Sequence, residues 1–203
     1  METDTLNYLA EKILNDVRNK SSFSNSMLDD MNSFPLVDYL REQVIDSDVE
    51  VIISLIKSED INLCYLGLNL VNRVLHLELI KKYLITFWNN TDDYERRYFL
   101  MWPLLNNSQL TEKMHKEIFE FVTDNWEKWK LDYTKFAGGS ANLVSFSEKR
   151  FYDKKFPNSK KWIYILGLKA IGNKTDIHVA LSKFKLDNSN EMQQKVLSIL
   201  KSS

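Results

Sequence analysis

A short helical phrase recurs along this chain at near-multiples of one interval. Residues 65–71 read Tyr-Leu-Gly-Leu-Asn-Leu-Val, and residues 165–171, 100 positions later, read Ile-Leu-Gly-Leu-Lys-Ala-Ile. Ser58-Glu59-Asp60-Ile61 returns 33 positions on as Thr91-Asp92-Asp93-Tyr94, each time ahead of an apolar helical run. Three steps of 33 fall one residue short of 100, so a single stacking period accounts for both displacements. Such a period is the mark of a helical solenoid, in which each unit buries its apolar face only against its neighbours. Gly67 and Gly167 are expected to let adjacent helices approach closely. The repeat constrains architecture and names no reaction.

With 203 residues the chain can form one large domain or a short repeat array with a continuous core. Five Gly and three Pro are too few for a many-turned β-architecture, which leaves helices. Aromatics make up 12%, including five Trp, and packing between bulky helices is the first use for them, an exposed recognition surface the second. The single cysteine, Cys64, excludes an internal disulfide and a cysteine-rich zinc site. It lies in an apolar helical run and reads as a small buried hydrophobe rather than a nucleophile. Met1-Glu2-Thr3-Asp4 is acidic and does not read as a secretory signal, and no apolar stretch approaches the ~20 residues of a membrane helix. A cytoplasmic protein without membrane contact is expected.

Net charge is −1, but residues 1–60 carry 13 acids against 5 bases, while the remainder carries 15 against 22. Polarity of this kind can steer partners of opposite sign to opposite ends.

Apolar spacing predicts helices over about 3–19, with Leu6, Leu9, Ile13, Leu14 and Val17 on one stripe, and from Pro35 through Leu36, Val37, Leu40 and Val44. Helix pairs are then expected at about 48–57 with 59–75, and about 77–88 with 92–105. Pro103 should kink or end the last of these. One long helix is predicted from Thr111-Glu112 to about 130. The pattern fails over 131–157, which contains Gly138-Gly139 and ends at Pro157, and reads as an insertion with one short helix near 145–152. It resumes at Ser159 as a helix to about 172, followed by about 176–185 and 190–201.

Residues 176–200 (Asp-Ile-His-Val-Ala-Leu-Ser-Lys-Phe-Lys, Leu-Asp-Asn-Ser-Asn, Glu-Met-Gln-Gln-Lys-Val-Leu-Ser-Ile-Leu) resemble one HEAT-type unit: a helix with paired aliphatics, a polar turn, and a second helix. Residues 48–75 resemble the same unit, and 77–105 do so more loosely. The arginine that many such units carry on the second helix falls here at Arg96 or Arg97, and 131–157 departs from the pattern. The resemblance implies an all-α, HEAT-like superhelix of about nine or ten helices. Its single domain would comprise N-terminal helices over 1–46, repeats over 47–130, the insertion at 131–157 and C-terminal repeats over 158–203.

Catalytic patterns are thin. His76, His115 and His178 lie far apart and form no pair on one helix face, so neither metal nor cofactor is expected. No phosphate-cradling Gly-rich loop with its lysine occurs, and no Gly-x-Ser-x-Gly elbow. Two surfaces remain. One is acidic: Asp29, Asp30, Asp38, Asp46, Asp48, Glu50, Glu59 and Asp60 form an approach to the first full repeat, with Asp46, Asp48 and Glu50 as the cluster that suits a basic protein partner. The other is aromatic and basic. It comprises Trp126 and Trp129 after Asp124, then Lys149, Arg150, Lys154, Lys155, Lys160 and Lys161 interleaved with Phe151, Tyr152, Phe156 and Trp162. Bases neutralise phosphates and aromatics stack on nucleobases. Some HEAT-like solenoids are DNA glycosylases that hold damaged bases with Trp and Asp on a basic face. The resemblance thus implies a nucleic-acid alternative, with Asp124, Trp126 and Trp129 as its pocket. A pI near 6.3 and the lack of a repeated basic stripe favour the other reading. That reading is a non-catalytic protein-binding module, of an inhibitory or toxin-neutralising (immunity) kind, using Asp46, Asp48, Glu50, Trp126, Trp129, Phe151 and Tyr152.

Overall fold

The computed structural model describes residues 42–137, 158–182 and 190–202. Among them the protein is all-α, with nine helices and no strand. The predicted helices at 3–19 and 145–152 lie outside the described residues, as does most of the one beginning at Pro35. The chain divides into two compact units, the first ending at Leu110 and the second beginning at Thr111.

In the first unit, a 3-10 turn (Asp46–Asp48) leads into α1 (Val49–Lys57) and α2 (Ile61–Leu70). A second 3-10 turn (Val71–Arg73) leads to α3 (Glu78–Asn90) and α4 (Tyr94–Leu105). Both the helix end at Lys57 and the start at Ile61 recur 33 positions on, at Asn90 and Tyr94. The cause is local. Asp93 accepts from the Arg96 N–H at 2.8 Å and caps α4, while Ser58 Oγ accepts from the Asp60 N–H at 3.1 Å in the corresponding turn. α1 packs on α2 and α3 on α4, and across the pairs α1 meets α3 and α2 meets α4. Apolar residues at helical spacing supply the seam, among them Ile52, Ile56, Leu66, Leu70, Ile80, Leu84, Leu100 and Leu104, each fully buried. Pro103 ends α4 within a turn, as expected, the helix stopping at Leu105.

Arg96 ties the pairs together. Its Nη2 donates to the carbonyls of Ser58 at 3.0 Å and Glu59 at 3.2 Å, groups that the end of α1 leaves without helical donors. A guanidinium reaches two carbonyls where an ammonium reaches them less well. Arg96→Ala is therefore expected to destabilise the first unit by about 1.5–3 kcal/mol, the range for hydrogen bonds to charged groups, and Arg96→Lys by less. Urea titration of both variants checks this; equal losses would assign the effect to the side-chain stem.

In the second unit, α5 (Glu112–Asp124) and α6 (Trp126–Ala137) precede α7 (Asn158–Ala170), α8 (Lys174–Ser182) and α9 (Glu191–Lys201). The long helix expected to about 130 is in fact two, because Asn125 breaks it. The Asn125 side-chain amide and its backbone N–H both donate to Phe121 O, at 2.8 and 3.3 Å, closing the end of α5. Residues 131–137 likewise belong to regular helix and not to an irregular insertion. The reason is that α6 has a face to bury: Trp126, Trp129 and Tyr133 fall at helical spacing and all three are buried. Of the proposed insertion, 138–157 lies outside the described residues.

α7 is the hub of this unit, packing on α5, α6, α8 and α9. Trp162, Ile163, Ile165, Leu166 and Leu168 are buried along it. α5 and α9 run in the same sense, since Lys116 meets Glu191 at 3.9 Å and Asp124 meets Lys195 at 3.3 Å. Lys169 Nζ closes the far end of α9 by donating to the carbonyls of Leu200 (3.3 Å) and Ser202 (2.9 Å), a cation where the helix dipole favours one.

The repeated glycines do what their spacing suggests. A Cβ on Gly67 would stand 2.8 Å from Ile56 Cγ1 and 2.9 Å from the Ile56 backbone nitrogen. On Gly167 it would stand 2.6 Å from the Tyr133 hydroxyl and 2.7 Å from its Cζ. Both helices pack closely because these positions carry no side chain.

Candidate functional site

The acidic residues singled out near α1 do not form one patch. Asp48 is 1% exposed, and its Oδ2 accepts from the Ile45 N–H at 2.9 Å, closing the 3-10 turn. It is a buried turn-forming group, which corrects its assignment to a docking surface. Asp46 is exposed but meets the His76 ring, Nε2 to Oδ1 at 2.9 Å. Glu50 is exposed in the first turn of α1. Glu59 and Asp60 lie past the other end of that helix, about 13 Å away at 1.5 Å per residue.

Folding builds a different acidic edge. By holding the 58–60 turn, Arg96 brings Glu59 and Asp60 beside the equivalent turn with Asp92, Asp93 and Glu95. Glu59, Asp92, Asp93 and Glu95 are exposed. Three of these acids also have structural work within the unit. Asp93 caps α4, Glu95 accepts from the Tyr65 hydroxyl at 3.1 Å, and Asp92 pairs with Arg97 at 3.1 Å. Burial, and then the Glu95 carboxylate, push the Tyr65 phenol above its ordinary range, so it donates at every ordinary pH. Arg97 also donates to Thr91 O at 2.6 Å and lies 5.2 Å from the Trp88 ring centroid. The two arginines are therefore directed into the turns, and Glu59, Asp92, Asp93 and Glu95 are exposed on this edge, with the exposed Lys57 at the end of α1 next to it. The 33-residue recurrence of the turns could have located it, because each turn carries acids in the same places.

The aromatic cluster is core. Trp129 is fully buried, with its ring stacked on Trp126 at 6.0 Å and on Tyr133 at 4.7 Å between centroids. Asp124 stands apart from this stack in role. It is exposed and meets Lys195 of α9. Among the described residues Trp126 and Trp129 are therefore core side chains and Asp124 an exposed partner of Lys195, which corrects the reading of the three as one partner-binding or base-holding cluster. Tyr133, which the sequence reading missed, completes the stack and receives Gly167. Burial pushes its phenol up to about 12. Asp29, Asp30, Asp38, Phe151, Tyr152, Phe156, Lys149, Arg150, Lys154 and Lys155 lie outside the described residues.

Cys64 is fully buried, and burial pushes its thiol up to about 11, with Arg96 pulling it back only in part. At neutral pH it is a thiol packed in the core and not a nucleophile. No group of three or more His, Cys, Asp or Glu side chains that could hold a metal ion occurs among the described residues. Nor is any helix among them long and apolar enough to cross a membrane. No family model, no curated protein and no solved structure matches this chain.

Proposed function

We propose that this chain is a non-catalytic protein-binding module of HEAT-like helix pairs, docking a basic protein on the acidic edge of its first unit in the manner of a neutralising, immunity-type binder. The observation that carries the reading is the pinning of the two acidic turns by Arg96, which gathers Glu59, Asp60, Asp92, Asp93 and Glu95 on one edge. Stacked helix pairs present such an edge without needing a reactive residue. An array of fixed carboxylates attracts a basic surface and raises its rate of encounter.

The double substitution Glu59→Lys with Asp92→Lys tests this. Both side chains are exposed, and the Asp92–Arg97 pair is a surface pair worth at most about 1 kcal/mol, so the fold should persist. Partner captured from lysate by the tagged chain is expected to fall about tenfold, the size of effect that fixed charges have on association, and wild-type capture should weaken with salt. Capture that is unchanged by the double substitution would remove this edge from the function.

A further inference from the structure

The second unit holds a titratable ring at the start of α5, in its own packed core. His115 lies in the first turn of α5, half-buried beside the buried Met114 and Ile118. Its Nδ1 is enclosed by protein and meets no hydrogen-bond partner. α5 packs against α7; burial first, then Lys160 in the first turn of α7, disfavour the charged ring, and Glu112, less than a turn earlier on α5, favours it. Lys116, next along α5, is taken up by Glu120 at 3.6 Å and by Glu191 of α9 at 3.9 Å.

We propose that His115 is an acid-sensitive latch between α5 and α7: neutral, it fits the packed face of α5; protonated, it puts an unsatisfied N–H inside that face and loosens the contact with the helix on which the rest of the unit packs. An imidazole nitrogen enclosed without a partner tolerates the neutral ring far better than a cation, which would carry an unsatisfied N–H there. Burial first, and Lys160 second, hold the ring's pKa below its ordinary 6.5, with Glu112 opposing them.

The direction of the effect follows. Well above pH 6.5 the ring is neutral in the folded and the unfolded chain and contributes nothing to pH dependence. As pH falls below 6.5 the unfolded chain takes the proton first, and stability drops until the folded ring protonates as well. Each unit by which the fold holds the pKa down corresponds to about a tenfold loss in the folding equilibrium.

The full chain would be followed by hydrogen exchange at pH 7.5 and pH 5, with protection compared between α5 and α7 on one hand and α1 to α4 on the other. Protection in α5 and α7 is expected to fall further than in α1 to α4. His115→Gln, which cannot take a proton, should abolish that excess, and Lys160→Gln should reduce it. An equal excess in His115→Gln would overturn the proposal. If His115→Gln fails to fold, the titration of the wild-type His115 ring by NMR decides instead. A midpoint below 6.5 that rises in Lys160→Gln supports the latch; a midpoint at or above 6.5 overturns it.

Discussion

Replacing Trp129 by alanine is expected to destabilise the second unit by about 3–5 kcal/mol, the cost of truncating a fully buried aromatic. Against a typical total of about 5–15 kcal/mol, that is a third or more of the stability of an average domain. The loss has two sources. The indole fills the space between Trp126 and Tyr133, and both neighbours would lose a stacked face with it. Little can collapse into the gap, because α6 is held against α7 by the close approach of Tyr133 to Gly167. Trp129→Phe keeps an aromatic face and should cost less than half as much. Urea unfolding followed by far-UV circular dichroism measures both. The same pair of variants separates packing from recognition. If Trp129 held a nucleobase, alanine would abolish duplex DNA binding at low salt while leaving the unfolding midpoint in place. A large fall in the midpoint is the result expected from a ring with no exposed surface.

Much of the helical layout was legible from residue order, for local reasons. The turns at 58–60 and 91–93 carry capping side chains whose bonds span two or three residues, so their chemistry can be read without the fold. Gly67 and Gly167 were legible as close approaches, because a glycine inside an apolar helical run has few other uses. Asn125 was not. Its break depends on the side-chain amide turning back to Phe121 O, and the apolar spacing runs past it undisturbed from Phe121 to Trp129. Tyr133 was passed over because the expected helix ended near 130, although its spacing from Trp126 and Trp129 is helical. Asp48 shows a different limit. A carboxylate in an acidic run reads as solvated surface, and only the backbone geometry reveals that it closes its own turn beneath the surface. The acidic edge is legible only in part. Recurrence aligned its two turns, but the long reach of Arg96 that sets them side by side leaves no mark in either turn.

Gly67→Ala should cost the first unit a net of about 2 kcal/mol, and the reason is where the obstruction lies. Alanine in a helix interior recovers about 1 kcal/mol relative to glycine. Overpacking a core costs about 1–3 kcal/mol, and sits at the top of that range when the obstacle cannot rotate away. At Gly67 the added methyl meets the Ile56 backbone nitrogen at 2.9 Å and Leu55 Cβ at 3.0 Å, so α1 itself must move away from α2. At Gly167 the three nearest atoms all belong to the Tyr133 side chain. The two positions should therefore respond differently to relief on the partner helix. Adding Tyr133→Leu to Gly167→Ala removes the hydroxyl and Cζ that crowd the new methyl, so the double variant should lose less than the two single losses added together. Adding Ile56→Val to Gly67→Ala leaves the backbone nitrogen in place, and those losses should simply add. Thermal unfolding reads each case, at roughly 4–8 °C per kcal/mol for a unit of this size. Equal coupling at both glycines would mean that side chains, rather than backbone, set the closest approach of α1 and α2.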